Sequence, residues 1–431
     1  MPDTRIDSAT RADARSDDPA AHEPIPRLPV VDSSLALAAD GYRFVSRRAD
    51  RLGVDAFRTR LLLRDVVCMR GPDAARLVYE GGRFDRSGSM PTSVKHLLQD
   101  DGSVQALEDV AHRHRKEGFV RLLQGGPEQD LALLLREELG TAVRRWRGTG
   151  DVRLHDVLPD VLGRVALRWA GIPVEGTGGR RAELWSMVEG AGAFGPANWV
   201  ARARRRRTEA WARELLTGAR TSGGTGTPLA DVAAWTDDAG RPLPLEVAAV
   251  ELLNLLRPIV AVALFVELAV LALLREPGAR AELTSSSPPD DDAVRDFAAE
   301  VRRHAPFFPV IGARARKDVE WRGEVLAAGT WVVLDLYGTN HDARLWPHPT
   351  RFDPGRYARG QGDRRAIVAQ GFGSYDDDHR CPGEPATARM VEEAVRVFLE
   401  LDWEPVVGQD LSVPPGRMPA RVADGVLIRL A

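Results

Sequence analysis

The sequence predicts a mainly α protein, a large helical body carrying small β-sheets, and three observations support that expectation. Apolar residues recur at helical spacing through LALLLREELGTAVRRW, LPDVLGRVALRWAG and AELWSMVEGAGAF, all within residues 130–270. Residues 244–274, PLEVAAVELLNLLRPIVAVALFVELAVLALL, are apolar almost all round, the pattern of a central buried helix. Strand-like runs are short, FRTRLLL and VVCM being the clearest.

The 431 residues are 44% hydrophobic and 28% charged, the balance of a chain able to bury a large core. Length alone admits two or three domains or one large one. A net charge of −3 gives no basis for a nucleic-acid partner. Cys68 and Cys381 stand far apart, so no disulfide framework is expected and a reducing, cytoplasmic setting fits. Residues 1–33 read as a disordered tail without the apolar segment of a secretory signal, and residues 34–431 as one domain. The most apolar run, 259–274, is short for a membrane span and interrupted by Glu267, so no span is expected.

In chain order, residues 35–51 carry a weak helical pattern. Residues 57–68 read as a hairpin with Arg64-Asp65 as its turn and Cys68 in the core, and DAARLVYE begins a helix. A polar stretch with Gln99 and Gln105 follows, and AHRHRKEGFVRLL then starts a basic helix. His112 and Lys116 are four apart and share a helical face, which suits either solvent or an anion. The run Arg202, Arg204, Arg205, Arg206, Arg207 reads first as a solvated face, with steering of carboxylates as the alternative. GARTSGGTGTPLA, residues 217–229, reads as a flexible loop.

Arg257 and Pro258 fall in the apolar middle of the central helix. Pro258 removes one backbone hydrogen bond and crowds the carbonyl of Asn254, so a kink is expected. Arg257 keeps its proton, and burying it without an anion is expensive. Something negative must meet it, and from the residues alone that partner reads first as a glutamate brought up from another helix. Glu300 and Arg303 share one face of a later helix, and TRFDPGRY follows downstream. Finally, QGFGSYDDDHRCPGEPATARM leads a Gly-rich acidic loop into a helical pattern. Pro382 suits a first helical position, which would set Cys381 at a helix N-terminus, where a thiolate is favoured. By residue type alone, Cys381 reads equally well as a small buried apolar side chain. A zinc site lacks a second nearby cysteine, and a Cys–His nucleophile pair with His379 lacks an orienting group.

In this order, the Arg-Pro of the central helix, Glu300 with Arg303, the Phe352–Tyr357 segment and His379–Glu384 resemble the cytochrome P-450 superfamily. More narrowly they resemble its hydrogen-peroxide-using fatty-acid branch, over about residue 42 to the end. Asp377, Asp378 and Gly355 depart from it, standing where Gly, Gly and Glu are usual. The resemblance implies a cytochrome P-450 fold binding haem b, with Cys381 as the iron's thiolate ligand. It implies His112, Lys116 and Arg380 as further cofactor-binding residues, with a basic pair facing a haem propionate. Glu300, Arg303 and Arg356 become a structural network behind the cysteine loop. The acid–alcohol pair that relays protons in most such oxygenases is missing, and Arg257-Pro258 stands in its place. In this branch the arginine binds the fatty acid's carboxylate, and that carboxylate moves a proton between the two peroxide oxygens. General acid–base help of this kind is worth roughly a hundred- to ten-thousand-fold, or about 3–5 kcal/mol of barrier. Gln105 falls where the branch has Gln or His on the distal side, and Gln favours hydroxylation over decarboxylation. The expected activity is hydroxylation at the α or β carbon, with hydrogen peroxide and a carboxylic acid as partners and no reductase. A reductase-dependent monooxygenase with Arg257 paired internally, and a non-catalytic haem-thiolate binder, remain as alternatives.

Overall fold

The helical spacing resolves into α1 (Asp109–Leu123), α2 (Pro127–Trp146), α3 (Leu154–Ala170), α4 (Gly178–Glu189), α5 (Pro196–Ser222), α6 (Leu245–Arg275), α7 (Asp291–His304) and α8 (Glu384–Glu400). These ranges come from a computed structural model that describes residues 24–98, 102–192 and 196–430. Helix α6 is the hub, packed by α3, α4, α5, α7 and α8. Leu252, Leu253, Leu255 and Leu256 are consecutive around its circumference bar one position and all are buried, as an enclosed helix requires. Each such side chain contributes about 1.5–3 kcal/mol on burial. By length and composition α6 would also cross a membrane, but 89% of its most apolar window is buried inside the protein. Helix α7 is started by Asp290, whose side chain accepts from the Ala293 N–H at 2.9 Å, a cap worth about 1 kcal/mol.

The main sheet contains β1 (Ala56–Leu61), β2 (Arg64–Met69), β3 (Phe84–Asp85), β4 (Val310–Ala315) and β5 (Trp331–Asp335) in the order β1-β2-β5-β4-β3. Only the β2–β5 pair is parallel, with Cys68 opposite Val333 and fully buried. A three-stranded sheet joins Asp151–Arg153, Leu427–Leu430 and Trp403–Pro405, and two short strands, Val319–Trp321 and Glu324–Leu326, pair separately. The architecture is therefore mainly helical with small sheets, as expected.

Three local expectations are corrected. The hairpin turns at Leu62-Leu63, two residues before Arg64-Asp65, and both leucines have left-handed backbone, φ 50° and 60°. That geometry favours Asn-Gly and costs other residues about 1–2 kcal/mol each, so sequence chemistry pointed elsewhere. The tail boundary at residue 33 also moves. Residues 25–33 run along β1, with Leu28 N donating to Arg58 O at 2.9 Å, Ser33 N to Arg60 O at 2.8 Å, and Ile25 buried. The 217–229 loop shrinks to five residues, because α5 continues to Ser222 and a helix starts at Pro228, capped by Thr227. Helix α6 runs as one continuous helix through Pro258.

Candidate active site

The cysteine loop hangs from three fixed points. Cys381 N donates to Gln370 O at 2.9 Å, Gln370 Nε2 donates to Thr387 Oγ1 at 3.0 Å, and Glu384 N donates to Cys381 O at 3.2 Å. Gly371 has φ 103°, and a Cβ there would meet Arg380 Cα and the Tyr79 hydroxyl at 3.1 Å, so only glycine fits. The acids that depart from the family pattern close a turn. Asp378 Oδ2 accepts from Ser374 N at 2.8 Å, and Ser374 Oγ accepts from Asp376 N at 3.1 Å. Helix α8 begins at Glu384, with Pro385 in its first turn, so Cys381 lies two residues before the Gly383 cap and Pro382 lies outside the helix. Burial pushes the Cys381 thiol up, while the Gly383 N–H and nearby Lys116 and Arg302 draw it back.

Behind the thiol, Glu384 is buried between Arg302 and Arg380, the latter donating through Nε at 2.7 Å. Burial pushes the Glu384 carboxyl up, yet these two guanidiniums hold it below the usual range. The Arg380 guanidinium turns to Glu384 and lies over the Tyr375 ring at 4.5 Å. His379, one residue earlier, faces the basic helix instead.

There α1 brings His112 and Lys116 to the loop, both buried. Lys116 Nζ donates to Arg380 O at 2.7 Å and to Asp378 O, and burial pushes its pKa down to about 8. The His112 and His379 rings lie 4.2 Å apart, and His379 Nε2 sits 3.1 Å from Glu108 Oε2. Burial pushes both imidazoles down, so they are neutral near pH 7. Arg86 stacks over Tyr79 at 4.5 Å and donates through Nη1 to Gly312 O at 3.1 Å. Its Nη2 is buried with no hydrogen-bond partner among the described residues. An unpartnered guanidinium nitrogen costs free energy unless an anion meets it. A thiol ligand beside Arg86, His112 and Lys116 therefore fits a group with one soft-ligated metal and an anionic edge. Arg86 was missed in the sequence, since only the paired strand β3 brings it here.

On the other side, Arg257 is buried at the floor of an apolar cavity of about 210 Å³, lined by Leu98, Ala261, Leu264, Phe307 and Met418 among others. Its Nη2 donates to Leu98 O at 2.7 Å and to Asn254 Oδ1 at 3.3 Å. Among the described residues no carboxylate pairs with it, so the internal glutamate of the alternative reading is absent there. Burial, with Arg205 adding to it, pushes Arg257 down to about 9, still charged at neutral pH. Asn254 is the joint of this region, its Nδ2 donating to Gln105 Oε1 at 3.2 Å and to Glu251 Oε2 at 3.0 Å. Glu251 is itself held by Arg115 at 2.6 Å and by the Val104 N–H at 2.8 Å. Gln105 and Arg257 are thus brought together through Asn254, which sequence reading did not single out. Pro258 leaves the Asn254 carbonyl without its helical donor. Gln99 lies outside the described residues.

Glu300, Arg303 and Arg356 form a closed set. Glu300 takes two bonds of 2.8 Å from Arg303, one of 3.2 Å from Arg356, one of 2.9 Å from the Asp353 N–H and one of 3.2 Å from Tyr357. Arg303 and Arg356 spend their remaining donors on carbonyls of Asn340, Pro347, Pro349 and Arg351.

Against known proteins, a family model described as Cytochrome P450 matches residues 294–405. Cytochrome P450SP alpha (CYP152B1) in complex with (R)-ibuprophen superposes with TM-score 0.87 and 38% identity, covering 92% of this chain and 98% of that one. Cytochrome P450EX alpha (CYP152N1) with myristic acid gives 0.88 and 32%, covering 94% and 98%. A variant of cytochrome P450 OleT in complex with arachidonic acid gives 0.88 and 29%, covering 95% and 98%. Among curated sequences, Cytochrome P450 1A1 of Pleuronectes platessa is 28% identical over 138 residues, 30% of this chain and only 26% of that protein's length.

Proposed function

From a chain that belongs to the cytochrome P450 superfamily, in the branch of the fatty-acid peroxygenases, we propose a haem-thiolate peroxygenase that hydroxylates a fatty acid at the α or β carbon. The family makes it an oxidoreductase with a haem-iron cofactor. Haem b would be held through the Cys381 thiolate, with Arg86, His112 and Lys116 available to its anionic edge. Bound haem supplies the redox chemistry by which oxygen passes from peroxide to carbon. The balance is one C–H plus hydrogen peroxide giving one C–OH plus water, so no reductase is needed.

The observation that carries this reading is Arg257, a buried cation with no carboxylate partner among the described residues, lining an apolar cavity. A fatty acid matches that cavity from end to end, with the chain in the apolar space and the carboxylate on Arg257. Held there, the carboxylate takes a proton from one peroxide oxygen and returns it to the other. Asn254 fixes Arg257 relative to Gln105, and Gln105 as a neutral distal group favours hydroxylation over decarboxylation.

The test is a Soret titration of the purified holoprotein with fatty acids of several chain lengths, followed by peroxide and product analysis. A spectral shift with a 2- or 3-hydroxy acid is expected. Haem bleaching without product at every chain length would overturn the reading.

A further inference from the structure

The Leu62-Leu63 turn leads to a surface that the chemistry of the cavity leaves unexplained. Two leucines occupy left-handed positions where Asn-Gly is favoured, and both stand in solvent, 56% and 74% exposed. They are held there by side chains from the preceding segment, Leu62 N donating to Ser34 Oγ and Leu63 N to Asp32 Oδ2, each at 2.7 Å. That clasp sets Val31, 76% exposed, and Leu35, 87% exposed, beside the turn, with Val30 next to them. Five exposed apolar side chains therefore form one patch, larger in character than the scattered single residues of an ordinary surface.

The patch is continuous with the apolar cavity. Leu62 both stands in solvent and lines the cavity, and the half-buried Ser34 and Leu37 and the buried Leu61 from the same two segments line it too. Arg27, Arg60 and Arg64 stand on the adjoining strand edge against two acids, Asp32 and Asp65, so the surroundings are net cationic. We propose that this patch docks the protein on an anionic lipid surface, so that an acyl chain passes from the lipid into the cavity without crossing water. The proposal rests on the reading of the cavity as a fatty-acid site. Long-chain acids reside in membranes and aggregates far more than as free monomers, so a cavity mouth with an apolar, cation-flanked rim meets its ligand where it is concentrated.

The experiment is flotation of the holoprotein with phosphatidylcholine vesicles that carry a minor fraction of oleate. It is compared with the variant Val31→Ser/Leu35→Gln/Leu63→Gly, none of whose positions lines the cavity. Glycine at 63 suits the left-handed backbone, so the variant keeps its hairpin. The wild type is expected to float and the variant to bind at least tenfold more weakly, with an unchanged Soret response to octanoate in solution. Equal flotation of both proteins, or none of the wild type, would overturn the proposal. So would a wild-type dimer in sedimentation that the variant dissolves without any vesicle binding, since the patch would then pair two copies. If vesicles capture the wild type but no acid perturbs the Soret band, docking stands and the substrate reading falls.

Discussion

Two buried arginine sites in this protein are built on opposite plans. Around Glu300, two guanidiniums share one carboxylate, and each of their remaining nitrogens finds a backbone carbonyl. Around Arg257, one guanidinium has a carbonyl and an amide oxygen on a single nitrogen, no carboxylate among the described residues, and an apolar cavity in front of it. The first is closed and can only hold the fold together. The second has no counter-charge among the described residues and opens on a cavity. Charge burial alone does not mark a functional site, therefore; the missing counter-charge does.

The largest effect that would break this contrast is on the closed set. Glu300→Gln leaves two guanidiniums buried without compensation, and a loss of about 3–5 kcal/mol in denaturant unfolding is expected. Arg257→Met should behave in the opposite sense. Peroxide-driven turnover of fatty acids falls by about a hundred- to ten-thousand-fold, while the thermal midpoint stays at or above the wild-type value. A large drop in the midpoint of that variant would make Arg257 structural and erase the contrast. Proton linkage sharpens it further. With Arg257 pushed down to about 9, fatty-acid affinity read from the Soret shift should be flat to about pH 8 and fall as pH passes about 9. The sign follows from loss of the cation that binds the carboxylate. In the free protein the same depressed value makes stability rise with pH above it, because the unfolded chain holds more protons there. The smallest effect is at Asn254. Asn254→Ala removes a neutral acceptor from Arg257 and the link to Gln105, at about 1 kcal/mol or roughly fivefold in acid affinity.

Sequence periodicity and composition were enough for the helical body and the enclosed central helix, because burial all round leaves few polar positions between 244 and 274. Arg257 was legible for the same reason, as a charge where none is tolerated without a partner. The Leu62-Leu63 turn was not, since its geometry comes from Asp32 and Ser34 clasping it and not from turn residues. Residues 25–33 read as tail because a strand-edge partner 30 residues away leaves no local signal. Arg380 and His379 face different neighbours, Glu384 with Tyr375 in one case and His112 in the other, which spacing alone does not separate. Neighbouring residues of an extended loop point opposite ways, and it is His379 that faces His112. Arg86, Arg115, Glu251 and Asn254 matter only through contacts spanning more than a hundred residues, or through such partners, and no spacing rule reaches them.

Helix α7 carries adjacent arginines to two different assemblies. Arg302 reaches Glu384 under the cysteine loop, and Arg303 reaches Glu300 and the 340–351 carbonyls. A single rod thus pins both the cysteine loop and the strap beside it. On heating, the cofactor should not be shed by the loop peeling away alone. Loss of the Soret band and loss of helical ellipticity should coincide on one melting curve, so that the protein fails as a unit and does not linger as an emptied shell.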